Sequence, residues 1–347
     1  QHYVRTDLVA DMAATSPNTL NIPTDPDLIN AWGIARGSTN PFWVSDNGTG
    51  LTTLYNGAGV KNGLIVKIPT VDGTSTSAPT GAVFNYDPSF EVAPKKPAVF
   101  FFATEDGTIA AWNPQVDLHN AVLVVKRGGK AVYKGIAIAQ TRAGTFLYAT
   151  NFQTGRIEVF DNQYQLVKTL SLVFGDAVQD EQDNDLRGLA PFGIQNIGGN
   201  LVVTFAKRTP GSLDEKHGPG LGAVGIFDGN GKLLKLMQLG PFLNAPWGVA
   251  MAPTDFGVFN HRLLIGNFGD GTINAFNIVS GRFEGKLLGS DNNPLTIDGL
   301  WGLAFGGDAP NNGLAKDLYF TAGPADESEG LFGKITPVAA EQRGITE

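Results

Sequence analysis

The stretch "NAPWGVAMA", from Asn244 to Ala252, indicates the fold because similar stretches recur along the chain. "NAWGIA" runs from Asn30 to Ala35, and "DGLWGLAF" runs from Asp298 to Phe305. A short pattern that returns at long, similar intervals is the signature of a repeat architecture built from one supersecondary unit. The glycine of the pattern gives six equivalent anchors: Gly33, Gly81, Gly135, Gly193, Gly248 and Gly302.

The segments that follow the anchors have the pattern of strands joined by hairpins. "FLYATNFQTGRIEVFD" (Phe146 to Asp161) and "LLIGNFGDGTINAFN" (Leu263 to Asn277) match in register and in turn residues. Runs rich in Val, Ile, Phe and Tyr, bounded by Gly, Asn and Asp, favour β-hairpins. Four antiparallel strands per unit, repeated six times, predict an all-β fold, the six-bladed β-propeller. We expect residues 1–347 to form one such domain.

The two ends of the chain suggest how the ring closes. The last unit supplies three strand-like runs and no fourth, whereas "HYVRTDLVA" near the start belongs to no unit. An unpaired strand edge invites association with other chains, so a closed ring is favoured over an open one. We therefore predict that residues 1–10 form an N-terminal strand that closes the last blade.

Composition excludes several classes of function. The net charge is −8 and no basic stripe is visible, which argues against nucleic acid as a partner. No apolar run approaches the roughly 18 residues of a membrane-spanning helix, so we expect a soluble protein without membrane insertion. Cysteine is absent, which removes thiol catalysis and thiolate metal sites. The chain begins at Gln1 rather than at methionine, which favours export, to a secreted, extracellular or periplasmic location.

Long phrases of the sequence resemble one protein family. They include "NAWGIARGSTNPFWVSDNGTGLTTLYNGAG", "FFATEDGTIAAWNP", "APFGIQNIGG", "GNFGDGTINAFN" and "LYFTAGPADESEGLFGKI". They look like the signature phrases of an uncharacterised family of exported bacterial propellers, distantly similar to NHL-repeat and calcium-dependent lactonase-type propellers. The resemblance covers nearly the whole chain. It implies the propeller fold and export, but no activity and no catalytic residues.

A column of residues at the ends of the second strands is a candidate metal site. Aligning the units gives one residue per blade: Asp46, Glu105, Asn151, Ala206, Asn267 and Ala322. Four of the six carry side-chain oxygens, the ligands that Ca²⁺ prefers, and rigid blades would fix the size of the cavity. The alternative is that Asn and Asp at strand ends cap turns through hydrogen bonds to the local backbone. No organic cofactor is indicated.

Loops at the same end of the propeller supply candidate ligand-binding and catalytic residues. Irregular inserts on a rigid scaffold are frequent sites of function, and two such inserts follow second strands, at 208–222 and 323–330. The candidate ligand-binding residues are Asn30, Asn244, Asp298, Lys207, Asp214, Asp326 and Glu327. The candidate proton-transfer residues are His217, Glu215 and Glu105. For each polar residue the alternative is a bond to the local backbone or simple solvation.

The repeated tryptophans also have two interpretations. Trp32, Trp247 and Trp301 each precede an anchor glycine. We favour large side chains that pack between blades over a surface on which a ligand stacks.

Two classes of function remain. The first is a binding module that recognises a small molecule, a glycan or a protein at the loop face, over a polar central channel, with an axial Ca²⁺ in a structural role. The second is an enzyme, either a metal-assisted hydrolase of the lactonase or esterase type or a lyase, in which the cation polarises a carbonyl or activates water.

Overall fold

The computed structural model describes residues 2–12, 21–172, 186–209 and 211–338. Almost all regular structure in these ranges is β-strand, which confirms the predicted all-β class. The remaining positions of the predicted domain 1–347 lie outside the described residues. Within the described ranges, no helix is long and apolar enough to cross a membrane.

The strands are numbered in chain order, and the blades follow the order of the anchors. The N-terminal strand and the first two blades contain β1 Tyr3–Ala10, β2 Ala31–Ala35, β3 Phe42–Asp46, β4 Leu51–Tyr55, β5 Val66–Lys67, β6 Pro79–Phe84, β7 Glu91–Ala93, β8 Lys96–Pro97, β9 Phe100–Thr104, β10 Thr108–Trp112 and β11 Val122–Lys126. The third and fourth blades contain β12 Tyr133–Thr141, β13 Gly144–Asn151, β14 Arg156–Phe160, β15 Leu166–Leu170, β16 Leu189–Ile197, β17 Asn200–Arg208, β18 Glu215–Lys216, β19 Gly222–Phe227 and β20 Leu233–Leu236. The fifth and sixth blades contain β21 Pro246–Met251, β22 Arg262–Asn267, β23 Ile273–Asn277, β24 Phe283–Lys286, β25 Leu300–Phe305, β26 Leu318–Ala322 and β27 Leu331–Pro337. Helical turns occupy Gly128–Lys130, Gly257–Phe259 and Pro324–Glu327.

Each blade has four main antiparallel strands, and the N-terminal strand completes the last one. The short β18 adds to β17 in the fourth blade, and β7 and β8 form a separate hairpin. The sixth blade has the order β25-β26-β27-β1, and β1 pairs with β27 from Tyr3 opposite Pro337 to Ala10 opposite Leu331. The first strands β2, β6, β12, β16, β21 and β25 contact one another in sequence, and β25 contacts β2. The closed ring of six blades is therefore as predicted.

The anchor glycines explain why the pattern repeats. A Cβ atom on Gly193 would lie 2.1 Å from the carbonyl oxygen of Trp247, in the next blade. The other five anchors make the same close approach to the following blade: Gly33 to Thr80, Gly81 to Gly135, Gly135 to Phe192, Gly248 to Trp301 and Gly302 to Trp32. Only glycine leaves room for backbones this close, so the six anchors bring the inner strands together around the axis.

The apolar core lies between neighbouring sheets. Its buried clusters join residues of adjacent blades all the way round, including the junction of the sixth blade with the first, where Phe332 packs against Phe42 and Tyr55. Burial of this kind is the main favourable term in folding. The blades therefore form a rigid scaffold for the loops at their ends.

Candidate functional site

An aromatic cluster fills the centre of the ring. Its members, here called the aromatic plug, are Trp32, Phe152, Phe192, Trp247, Phe268 and Trp301. The rings of Trp32 and Trp301 stack with centroids 3.7 Å apart, and Phe268 covers the other face of Trp301 at 3.8 Å. The tryptophans pack between neighbouring blades, as expected, since Trp301 contacts both Trp32 and Trp247, and they also pack across the axis. Contacts such as Trp32 with Trp247 join blades that are not neighbours.

The plug separates two different ends of the channel. On the side where the first strands end, the channel opens into a cavity of about 560 Å³, lined mainly by aliphatic residues such as Ile34, Ile138, Val249 and Leu303. On the side where the first strands begin lie the loops that carry the predicted site residues. We call this second side the loop face.

The six residues of the predicted column do not occupy equivalent positions in their second strands. Asp46, Asn151, Asn267 and Ala322 each pair with the residue two positions before an anchor glycine. In the second and fourth blades that position pairs instead with Thr104 and Phe205. Glu105 and Ala206 are therefore one residue further along. Because side chains alternate along a strand, this single step turns them toward the axis and the other four away from it.

The two asparagines of the column are each hydrogen-bonded to the backbone near their own blade. The Asn151 Oδ1 accepts from the backbone N–H of Val132 at 3.2 Å, and its Nδ2 donates to the Lys130 carbonyl at 3.1 Å. Asn267 does the same, accepting from the N–H of Asn244 and donating to the carbonyl of Phe242. These are the bonds of the turn-capping alternative.

Asp46 differs from the two asparagines. Its carboxylate is completely buried, and within the described part of the chain neither oxygen meets the geometry of a hydrogen bond. Burial raises the pKa of Asp46 well above its ordinary value, which favours the uncharged acid. An uncharged acid is a poor ligand for Ca²⁺. Among the described residues, no three His, Asp or Glu side chains are grouped so as to hold a metal ion.

A buried lysine, Lys134, contacts Glu105, one of the residues predicted to bind Ca²⁺. Lys134 replaces the aromatic residue before the third anchor, and its side chain is 2% exposed. Its Nζ donates to Glu105 Oε1 at 2.5 Å, lies 3.7 Å from Asp214 Oδ1 and sits 5.1 Å from the centroid of the Trp32 ring. Burial alone would lower the pKa of Lys134, but the carboxylates of Glu105, Glu215 and Asp214 raise it. The lysine therefore stays charged.

Hydrogen bonds run from this lysine around the axis. Glu105 Oε2 accepts from Asn47 Nδ2 at 3.1 Å, and Asn47 Oδ1 accepts from Asn30 Nδ2 at 3.2 Å. Asn30 Nδ2 also donates to Glu327 Oε2 at 2.6 Å, while Asn30 Oδ1 accepts from the indole N–H of Trp301 at 2.9 Å. The chain of contacts crosses the third, second, first and sixth blades.

The fourth blade adds a histidine and a carboxylate. His217 Nε2 lies 3.3 Å from Glu215 Oε1; the glutamate side chain is 5% exposed and the histidine 47%. Burial would raise the pKa of Glu215, but the hydrogen bond with His217 and the charge of Lys134 lower it. The hydrogen bond with Glu215 in turn raises the pKa of His217, and Glu327 and Asp326 add to the effect. We call Asn30, Asn47, Glu105, Lys134, Glu215, His217 and Glu327 the polar ring.

Glu327 lies in a turn with an unusual backbone conformation. Ala325, Asp326 and Glu327 have φ values of 52°, 56° and 65°, the left-handed region that non-glycine residues rarely adopt. The backbone N–H of Ala325 donates to Asp298 Oδ2 at 2.9 Å, which fixes the start of this turn. Burial raises the pKa of Glu327 to about 7, helped by the charges of Glu215 and Glu105 and opposed by the hydrogen bond from Asn30.

The other predicted residues have supporting or peripheral positions. Asn244 is buried, and its Oδ1 accepts from the N–H of Gly218 at 2.7 Å, next to His217. Asp214 and Asp326 are exposed at the mouth. Lys207 Nζ donates to the carbonyl of Arg187. Asn30, Glu105, Glu215, His217 and Glu327 thus come together.

Sequence reasoning missed Lys134 and Asn47. A signal for the lysine was available, because "YKGIAIA" places a charge where three of the repeats have tryptophan. Asn47 follows Asp46 and faces the axis by the same alternation that turns Asp46 away. Its role depends on register, which the repeat pattern alone leaves open to a one-residue error.

Solved structures share the fold at low sequence identity. A streptogramin B lyase structure is 12% identical with a TM-score of 0.50, over 96% of this chain and 97% of that one. A glucose dehydrogenase structure is 12% identical with a TM-score of 0.53, over 90% of this chain and 98% of that one. At this identity the likeness supports the fold alone.

Sequence comparison gives a nearer relative. No protein-family model matches the chain. An uncharacterised protein of Acanthamoeba polyphaga mimivirus is 34% identical over 319 residues, which are 90% of this chain and 76% of the relative. This relative is viral and lends no support to the bacterial origin that the resemblance implied. By identity and coverage, the chain belongs to the same protein family as this mimivirus protein.

Proposed function

We propose that the protein binds a small molecule at the polar ring on its loop face. The observation that carries this proposal is the convergence of polar side chains from five blades on one point of the axis, with Asn244 of the remaining blade holding the chain beside His217. Polar groups that converge from separate rigid elements are typical of ligand sites. Since Lys134 and Glu215 are almost fully buried, a small ligand fits better than a glycan chain or a protein.

Charge narrows the class of ligand. The ring and its mouth combine Lys134 and His217 with a larger number of acids: Glu105, Asp214, Glu215, Asp326 and Glu327. An excess of negative charge favours neutral or cationic ligands and disfavours anions. Export and an axial Ca²⁺ stay predictions. The ammonium of Lys134 already supplies a positive charge to Glu105, one of the four residues predicted for calcium.

A thermal-shift comparison of three probes tests the proposal. We expect δ-valerolactone, which is neutral, and choline, which is cationic, to raise the melting temperature, and glutarate, which is anionic, to leave it unchanged. The variant Asn30→Ala removes the link between Asn47 and Glu327 and should lose the response. Gln195→Ala, in the cavity beyond the plug, is the matched control and should keep it. Stabilisation by glutarate alone, or a response that needs Gln195 and not Asn30, would contradict the proposal.

The enzyme class requires more than a binding site. The lyase and dehydrogenase neighbours share only the fold, and a fold carries no specific activity. A hydrolase or lyase needs a proton donor and a proton acceptor near one substrate.

A further inference from the structure

The left-handed turn at Ala325–Glu327 is strained without an evident structural reason. A left-handed conformation costs about 1–2 kcal/mol for each non-glycine residue, and three occur in succession. Such strain persists only where surrounding contacts hold it, and it clusters at functional sites. Here the contacts are the Asp298 bond to the turn and the Asn30 bond to Glu327 Oε2. Their result is to direct one carboxyl group toward the axis.

His217 is positioned from a second direction. Its Nε2 faces Glu215, and the described residues place no hydrogen bond on its Nδ1. The ring also packs edge-on against Phe268 of the plug, with centroids 5.0 Å apart. The neighbouring backbone is fixed by Asn244. The His217 side chain is 47% exposed, and an imidazole held on one nitrogen by a carboxylate while the other nitrogen has no described partner has the arrangement of a general base.

The titratable groups that face this pair come from several elements. His217 pairs with Glu215 on its own loop and lies within the electrostatic influence of Asp326 and Glu327 on the strained turn. Glu327 faces Glu215, Glu105 and the ammonium of Lys134. His217 packs against Phe268, which stacks on Trp301, and the Trp301 indole donates to Asn30, the residue that also binds Glu327. The two proton-carrying groups therefore lie beside the same aromatic rings, on the inserts of the fourth and sixth blades.

We propose that the polar ring hydrolyses a neutral ester or lactone without a metal ion, with His217 as general base and Glu327 as general acid. The inference rests on the proposed binding function. His217 Nδ1 takes a proton from water as the water oxygen bonds to the carbonyl carbon. Negative charge that develops on the carbonyl oxygen is stabilised by the field of Lys134. The carbon–oxygen bond to the alcohol then breaks, and the Glu327 carboxyl gives its proton to that oxygen. The proton on His217 returns to Glu327 through solvent, so that one water is consumed and one acid and one hydroxyl are formed.

The test measures hydrolysis of δ-valerolactone by the full chain, with and without EDTA. General acid–base groups contribute about 100- to 10,000-fold, so Glu327→Gln and His217→Asn should each lower kcat/KM at least about 100-fold. The matched controls Glu329→Gln and His261→Asn should change it less than about twofold, and EDTA should have no effect. No turnover above that of Glu327→Gln, or turnover abolished by EDTA, would overturn the proposal.

A second measurement needs no substrate. In the pH titration of the His217 ring followed by NMR, Glu327→Gln should lower the histidine pKa, because a nearby negative charge is removed. An unchanged pKa would show that the two groups are not paired across the mouth, and would overturn the assignment. Lactone-induced stabilisation that persists in both variants without turnover would leave the binding function standing while the catalytic one fails.

Discussion

The two ends of the channel are built from the same six first strands and yet are chemically opposite. At the loop face, where these strands begin, hydrogen bonds join Lys134, Glu105, Asn47, Asn30 and Glu327 in one chain, and Glu215 and His217 form a separate pair. At the other end, a cavity of about 560 Å³ is lined largely by aliphatic side chains. Of the described residues that line it, Arg36 alone is charged, and it donates to the backbone carbonyls of Phe305 and Gly306. The aromatic plug lies between them.

The difference between the two ends of the channel shows which parts of the repeated blade unit can change in sequence. The part of each first strand near its anchor glycine is constrained by the approach of the next blade's backbone. The loops that enter the strands and the inserts that follow second strands are not part of this packing. They can carry chemistry without disturbing the ring, which is the common division between scaffold and site.

The largest expected effect on stability comes from removing a side chain of the aromatic plug, which lies between the two ends of the channel. Trp301 is completely buried and stacked on both faces, so Trp301→Ala should lower the free energy of unfolding by about 4 kcal/mol. Chemical denaturation measures this loss. Phe305→Ala, at the rim of the aliphatic cavity, is the comparison and should lose less than half as much. A loss for Trp301→Ala of less than about 1 kcal/mol would mean that the plug contributes little packing.

A smaller loss of stability should follow removal of the positive charge of Lys134 at the loop face. Lys134→Met leaves Glu105 and Glu215 without their cation and should cost about 2–3 kcal/mol near neutral pH. In the wild type the pKa of Glu215 is lowered, so its contribution is present above the ordinary carboxyl pKa and is lost as pH falls. The difference between the two proteins should therefore shrink in acid. Lys216→Met, on the exposed side of the same insert, should show no such difference.

The anchor contacts predict a further, smaller effect. Gly193→Ala places a methyl group against the Trp247 carbonyl and should cost about 2 kcal/mol. No atom of the described residues lies within 4 Å of a Cβ built on Gly129, and its backbone is one that other residues adopt. Gly129→Ala should accordingly stay within about 0.5 kcal/mol of the wild type in the same denaturation experiment. Equal effects at both sites would contradict the close approach of the blades.

The smallest effect is a pH dependence confined to the loop face. Because the pKa of Glu327 is raised to about 7, the folded state binds a proton that the unfolded state has lost, and stability falls as pH rises from the ordinary carboxyl pKa through about 7. His217, whose pKa is also raised, acts in the same direction at higher pH. Since Glu327 is partly exposed, we expect only about 1 kcal/mol. Glu327→Gln should remove this part of the dependence, and a curve identical to the wild type would count against a protonated Glu327.

The fold could be predicted from the sequence because its determinants are periodic. The close approach of backbones requires glycine at each anchor, and the unfinished last unit requires a partner strand, so both features are visible in the letters. The site is harder because it depends on register. Next to each anchor glycine the pairing of the first and second strands shifts at a bulge. The sequence alignment did not allow for this shift, so in the second and fourth blades it selected Glu105 and Ala206 instead of the paired residues Thr104 and Phe205.

The chemistry of the site depends on contacts between distant blades. Glu327 could be identified as a residue of the mouth, but its bond with Asn30 joins positions 297 residues apart. The left-handed turn that holds it has no glycine in "PADE" to indicate such a conformation. Lys134 is visible as an exception to the repeat. Its three carboxylate neighbours come from the second blade and from an insert in the fourth.

A crystal structure of Glu327→Gln soaked with δ-valerolactone tests most directly whether the loop face is the functional end. The lactone should lie at the mouth of the polar ring, within hydrogen-bond distance of His217 or of residue 327, with the aliphatic cavity free of it. A lactone bound in the aliphatic cavity, with the polar ring unchanged, would place the function at the opposite end of the channel and contradict this account.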